Sequence, residues 1–204
     1  MLTDVIGVQT GALPIWVIET VNNGFTAYEM NDAARALYDF LWNEYCDWYM
    51  ELAKPRLRGD EQERAQVQAI LSTVLETTLR LMHPIMPFIT EEIWQALPHE
   101  GESIMVARFP EADAMMIDDE AEAGMAAVMD AVRAVRNLHA EAGASPGKPV
   151  NLTVVAEDGM RARVERNADS LKFLAKVGEL SFADAIAEAD KGKYFSAHLP
   201  GLDL

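Results

Sequence analysis

Between residues 33 and 54, Leu37, Phe40, Leu41, Tyr45, Trp48 and Leu52 recur at a helical period, while Arg35, Asp39, Asn43, Asp47 and Glu51 repeat every four residues on another face. That alternation predicts an amphipathic helix with one stripe in the core. Pro55 is expected to end it, because proline cannot continue the hydrogen-bond ladder. A shorter pattern over 16–28 carries Trp16, Val17, Val21 and Phe25, and Asn31 or Asp32 offers the N-cap of the helix that follows. Over 61–82, Val67, Ile70, Leu71, Val74, Leu75 and Met82 predict a third helix, stopped before the rigid corner at Pro84 to Pro87. Thr90 is expected to cap a short fourth helix with Glu91 and Glu92 in its first turn, where negative charge suits the helix dipole. Ile93, Trp94 and Leu97 would supply its buried face.

A fifth helix is predicted over 119–140, closed by turn residues Gly143, Ser145, Pro146 and Gly147. The pattern then changes. Residues 151–156 form a β-branched run, 160–177 reads as helix, and 180–183 and 194–199 read as short strands. The fold class that follows is mainly α: an antiparallel helical bundle over 16–142, then a small α/β subdomain over 143–204. Residues 1–15 fit neither pattern, since Gly7, Gly11 and Pro14 break any helix, and they are expected to be a foreign or mis-joined leader.

Of the 204 residues, 50% are hydrophobic and 25% charged, enough apolar material for a core and too much for a disordered chain. The net charge of −16 argues against a polyanionic partner unless basic groups cluster locally. Acid is concentrated over 111–122, whereas Lys54, Arg56 and Arg58 stand together without an intervening carboxylate. The single cysteine, Cys46, can form neither an internal disulfide nor a cysteine-based metal cage, and reads as a buried reduced thiol. No apolar run approaches bilayer length and no signal-peptide pattern opens the chain, so a soluble cytoplasmic protein is expected; it is further expected to be a monomer.

Catalytic motifs are missing: there is no phosphate-cradling glycine loop, no zinc-protease helix and no nucleophile elbow. His83, His99, His139 and His198 are dispersed beside turns and helix ends, which favours structural or solvent-facing roles over metal ligation. No catalytic residue, metal ligand or cofactor site is therefore assigned.

Residues 31–57, NDAARALYDFLWNEYCDWYMELAKPRL, and 81–97, LMHPIMPFITEEIWQAL, closely resemble the anticodon-binding domain of class I aminoacyl-tRNA synthetases of the valine type. Trp42-Asn43-Glu44, Cys46-Asp47-Trp48-Tyr49 and Lys54-Pro55-Arg56 are the runs that point to valine rather than to isoleucine or leucine. The likeness extends more weakly through VRAVRNLHAEAGASPGKPVNLTVV and covers the chain from Trp16 onward. It implies recognition of the anticodon of tRNA for valine, with the catalytic domain of the same enzyme as second partner and ATP as the cofactor of the full-length ligase. The family's His-Ile-Gly-His and Lys-Met-Ser-Lys-Ser signatures occur nowhere in these residues, so this piece alone is expected to be inactive. The family's C-terminal coiled-coil arm is likewise expected to lie outside these residues.

Aromatic residues on the apolar stripe, Trp48 among them, are assigned to the core, and Trp48→Ala is expected to cost roughly 3–5 kcal/mol. RNA bases in single-stranded loops are read by hydrogen bonds to their edges and by stacking, with basic groups on the backbone. Arg35, Trp42, Asn43, Asp47, Lys54, Arg56 and Arg58 supply those chemistries around one helix. Arg133 and Arg136 form a second basic pair, suited either to phosphates or to pairing with Asp130. The rival reading is an acidic helical protein-interaction module that binds no RNA.

Overall fold

The computed structural model of the chain describes residues 12–112, 119–143, 148–185 and 195–204. Two compact units divide at 117/118.

The first unit is a stack of helices: α1 (Ala12–Ala27), α2 (Met30–Asp39), a π-helical segment (Phe40–Tyr49), α3 (Met50–Leu57), α4 (Glu61–Met82), α5 (Pro87–Gln95) and a single 3-10 turn (Ile104–Val106). Short connections fold successive helices back on each other, so α1 packs on α2, α3 on α4 and α4 on α5. Val17, Val21, Ala33, Leu37, Phe40, Val74 and Leu81 are among its buried apolar residues. The turn between α1 and α2 is a Schellman arrangement, with Glu29 N–H on the Gly24 carbonyl (2.7 Å) and Tyr28 N–H on that of Phe25 (3.3 Å). A Cβ at Gly24 would come within 3.1 Å of the Ala33 Cβ, so glycine there sets how closely α2 approaches.

Several sequence expectations change here. Ala12 to Ile15 form the first turn of α1, and Ile15 is buried, so the expected leader is helical over its last four residues. Residues 1–11 lie outside the described residues. No side chain caps α2, which starts at Met30 after Glu29 rather than at Asn31 or Asp32. Pro55 does not end the long helix: α3 runs to Leu57, and the stop is made by Arg58 and Gly59, followed by Asp60, whose carboxylate accepts from the Glu63 N–H (2.8 Å) to cap α4. A proline in the last turn forfeits only one ladder bond near a terminus whose carbonyls are unpaired in any case. Thr90 is no N-cap either. Its helix begins at Pro87, and the Thr90 hydroxyl donates back to the Met86 carbonyl (2.8 Å).

The largest departure is the π-helical segment, where each N–H reaches the carbonyl five residues back, as Met50 N–H does to Tyr45. The wider turn changes which residues face inward: Phe40, Tyr45 and Tyr49 are buried, and Leu41 and Trp48 are only half-buried. Trp48 is thus not the core anchor that a uniform α-period implies, and truncating it should cost less than a full core change. The Tyr45 hydroxyl donates to the Leu71 carbonyl (3.0 Å), tying the segment to α4.

Burial pushes both phenols up to about 12; the neighbouring Cys46 adds to the shift at Tyr45, and Tyr45 adds to it at Tyr49, where Arg56 opposes it. A raised folded-state pKa means the unfolded chain gives up these protons first. The stability they contribute is therefore complete below pH 10 and is lost as pH rises toward 12. Urea midpoints should fall as pH rises from about 10 toward about 12, and Tyr49→Phe should flatten that fall. An identical slope in the variant would show that Tyr49 ionisation is not the cause. Cys46 is half-buried rather than buried, and burial followed by the Asp47 charge pushes its thiol up, away from reactive thiolate.

The second unit contains α6 (Asp119–Glu141), β1 (Val150–Ala156), α7 (Asp158–Arg166), α8 (Ala168–Ala175), β2 (Val177–Ala183), β3 (His198–Leu199) and β4 (Leu202–Asp203). The sheet order is β2-β1-β4-β3, with β1 and β2 parallel in the register Leu152↔Leu180 and Val154↔Phe182, and β4 antiparallel to both neighbours. Leu152 and Val154 point into the core, while Asn151 and Thr153 face solvent. Instead of one helix over 160–177, two helices meet at Asn167, whose buried amide donates to the Arg163 carbonyl (2.9 Å). Lys176 takes a left-handed φ of 55°, and the strand starts at Val177, three residues earlier than its apolar run suggests. The helix α6, placed with the bundle by its pattern over 16–142, packs here on α7 and α8. Its turn residues 144–147, the connector 113–118 and position 194 lie outside the described residues. Among the described residues no helix is long and apolar enough to cross a membrane.

Candidate nucleic-acid interface

One continuous helical rod, α2 through the π-helical segment into α3, carries six of the seven residues assigned to RNA contact, and Arg58 caps its end. Arg35, Trp42, Asn43 and Asp47 are exposed on its upper part, with Lys54 and Arg58 exposed at its lower end and Arg56 half-buried. They do not form one patch. Asn43 and Arg58 are separated by fifteen positions, on the order of 20 Å along a helix axis.

The upper group is the better organised. The Trp42 ring stacks on Tyr38 with centroids 6.5 Å apart and planes inclined by 12°, and the two are 58% and 64% exposed. Large aromatic rings this accessible gain nothing from the core, yet they are held parallel to one another. Arg35 lies on the same side one turn before Tyr38, and no carboxylate among the described residues pairs with it. The Asn43 amide donates weakly to Asp39 Oδ1 (3.4 Å), which leaves most of its capacity free. Tyr38 was not among the sequence candidates. Its signal was available, because it stands four positions before Trp42 and off the apolar stripe.

Tyr28 was missed too. It is 87% exposed and sits at φ 63°, the Schellman position that glycine normally fills, so its ring is presented to solvent by a backbone conformation unfavourable for an aromatic residue. Costly backbone of this kind concentrates at functional sites.

At the lower end the three cations differ. Lys54 is paired with Glu51 one turn before it. Arg56 lies near the buried Tyr49 phenol, whose pKa it opposes. Arg58 is exposed at the helix end, without a carboxylate partner among the described residues. Elsewhere four arginines are engaged within the fold: Arg133 with Asp130 (3.0 Å), Arg136 on the Leu174 carbonyl (3.2 Å), Arg161 with Glu165 and Asp184, and Arg163 with Glu120. A cleft of about 670 Å³ beside Glu76, Arg80, Trp94, His99 and Arg108 also lacks a spare cation on Arg80, which is held by Glu76 and the Arg108 carbonyl.

A protein-family model described as the anticodon-binding domain of tRNA ligase matches residues 16–155. The chain belongs to that family. The exposed aromatic pair, Tyr28 and all seven candidates fall inside the matched span of this anticodon-binding domain. It is 42% identical over 189 residues to the valine–tRNA ligase of Geobacillus stearothermophilus, an alignment covering 92% of this chain and 21% of the relative. Likewise it is 41% identical over 180 residues to the valine–tRNA ligase of Latilactobacillus sakei, covering 84% of this chain and 20% of that one. The Bacillus anthracis valine–tRNA ligase is 40% identical over 189 residues, with 92% and 21% covered. The chain thus spans about a fifth of the length of the curated relatives it matches.

Proposed function

We propose that this anticodon-binding domain recognises tRNA for valine on behalf of a cytoplasmic valine–tRNA ligase, holding the anticodon loop while the ATP-dependent attachment of valine takes place elsewhere in the same enzyme. The observation that carries the reading is the exposed, parallel Tyr38–Trp42 pair beside Arg35, which pairs with no carboxylate among the described residues, within the segment matched by the family. Stacked rings offer a platform for an unpaired base whatever its identity, Arg35 supplies a guanidinium for a phosphate or a base face, and Asn43 has the donors and acceptor to address a base edge. Local arrangement offsets the overall charge of −16, because phosphates respond to the nearest cations through a screening length of about 10 Å. Binding energy spent here serves positioning of the distant acceptor end. In this role the domain acts as a monomer, with the rest of the ligase and the tRNA as its partners.

The test is a titration of the chain with tRNA bearing a valine anticodon and with one bearing an unrelated anticodon, at two salt concentrations. Preference for the first supports the reading; equal, negligible binding of both at low salt removes it. Two substitutions separate the contacts. Arg58→Ala should weaken both tRNAs by similar factors and reduce the salt slope by about one, as loss of one phosphate contact requires. Asn43→Ala should weaken the matched tRNA more than the control and narrow the gap between them. If both variants bind both tRNAs like the parent, Arg58 is a solvated helix end and Asn43 reads no base.

A further inference from the structure

The outer face of α5 is apolar and uncovered. Phe88 is 90% exposed, Ile89 53% and Ile93 38%, and the adjoining 3-10 turn adds Met105 at 73% and Val106 at 79%. The turn is anchored to α5 itself, since Glu91 of α5 accepts from the Ser103 hydroxyl (2.8 Å) and from the Ile104 N–H (3.2 Å), and Ile104 is buried with Trp94 and Leu79. Hydrogen bonds from Gln95 and then Ser103 hold Glu91 below the ordinary carboxylate value, so this join stays charged and intact.

The patch is rigid. Pro87 opens α5 with its φ already helical, and the hydroxyl of buried Thr90 meets His83 Nδ1 at 2.8 Å as well as the Met86 carbonyl. Fully exposed side chains on a fixed frame raise a protein's solvation cost without adding to its own core, and contiguous apolar surface of this kind marks contact with another protein surface.

Charge selects the class of partner. Between Arg80 and Arg108 the sequence has no lysine or arginine, while Glu91, Glu92, Glu100 and Glu102 lie in that stretch. Phosphate-rich RNA and anionic lipid are both repelled by such a rim, which leaves a polypeptide. The curated relatives are about five times as long as this chain, so most of a valine–tRNA ligase lies outside the residues described. We propose that the Phe88–Ile89–Ile93 face of α5 is the seat on which the remainder of the valine–tRNA ligase packs. This rests on the reading of the chain as part of that enzyme and adds the surface through which the anticodon-binding domain is held in register with the rest. Its occupant has an apolar surface with a basic group among its apolar residues, to meet exposed Glu92 between Phe88 and Ile93.

Hydrogen exchange and melting decide it, and neither needs tRNA, so failure of anticodon recognition would not imitate failure here. The chain alone is compared with a chimera in which residues 16–204 replace the matched segment of the Geobacillus stearothermophilus enzyme. Peptides covering 85–93 should exchange at least about tenfold more slowly in the chimera. The double substitution Phe88→Ser with Ile89→Ser should leave the melting temperature of the chain alone within about 2 °C, because both side chains are already in water, and should lower that of the chimera by several degrees. Equal exchange of 85–93 in the two proteins, or a chimera indifferent to the double substitution, overturns the proposal. So does protection in the chain alone that grows with its concentration, which would make the occupant a second copy. The unaltered Geobacillus enzyme supplies a measurement independent of grafting: its segment aligned with 85–93 should be protected, and fast exchange there overturns the proposal whether or not the chimera folds.

Discussion

Trp94→Ala is expected to cost the helical unit on the order of 4–5 kcal/mol, the upper part of the range for aromatic truncation in a core. Trp94 is 1% exposed, packs with Leu79 and Ile104, and lies against the His99 ring with centroids 3.7 Å apart. Its indole N–H donates to Glu76 Oε1 at 2.8 Å. Truncation therefore opens a ring-sized cavity and removes a donor from a mostly buried carboxylate. The second loss is limited, because the Arg80 guanidinium stays beside Glu76, with Nη2 donating to Oε2 at 2.9 Å. Trp94→Phe separates the two effects: it keeps most of the volume, loses the N–H, and should cost only about 1–3 kcal/mol. A domain of this size has roughly 5–15 kcal/mol in total, so the alanine variant should lose most of its helical signal in mild urea while the phenylalanine variant retains it. Circular dichroism across a urea titration reads both. An alanine variant with the parental midpoint would mean that the Leu79–Trp94–Ile104 cluster does not hold α4 and α5 together.

Trp42→Ala should do the opposite, leaving stability nearly unchanged and weakening tRNA. The ring is more than half exposed, so its removal leaves little cavity. One base lost from an aromatic platform is worth about 1–3 kcal/mol, roughly a 5- to 150-fold rise in Kd. Tyr38→Ala should weaken binding in the same direction, and the double variant should lose less than the sum, since the two parallel rings form one platform. Trp42→Phe should retain most of the affinity. Anisotropy of a labelled tRNA with a valine anticodon, paired with a thermal melt of each variant, gives both quantities. Unchanged affinity in the double variant, with an intact melt, would move the recognition surface off this helix, and exposed Tyr28 would become the next aromatic to test.

Much of the architecture was legible along the chain because helix-forming periodicity is local. The order of helices, the change to a strand at residues 151–156 and the length of α6 all follow from which side chains recur at which spacing. The exposed polar row Arg35, Asn43 and Asp47 was legible for the same reason, as was the family likeness carried by the run from Trp42 to Arg56.

What required the tertiary structure was the choice among partners that a local pattern leaves open. Six apolar residues over 37–52 predict a stripe, yet the π-helical turn from Phe40 to Tyr49 decides that Tyr45 and Tyr49 rather than Trp48 go inside, where Tyr45 can reach the Leu71 carbonyl of a helix 26 residues away. Pro55 carries a strong stop signal in isolation, but its position in the last turn makes its missing N–H cheap. The stripe of Val128, Val132 and Val135 shows that α6 buries a face; only its packing on α7 and α8 shows against what. Exposure follows the same logic. Ile93 reads as part of the buried face of its helix, yet it lies exposed with Phe88, Ile89 and Tyr38, because no other described segment covers them. Periodicity fixes a side chain's direction about its own helix axis, whereas burial depends on what lies opposite, and that is a property of residues distant in sequence.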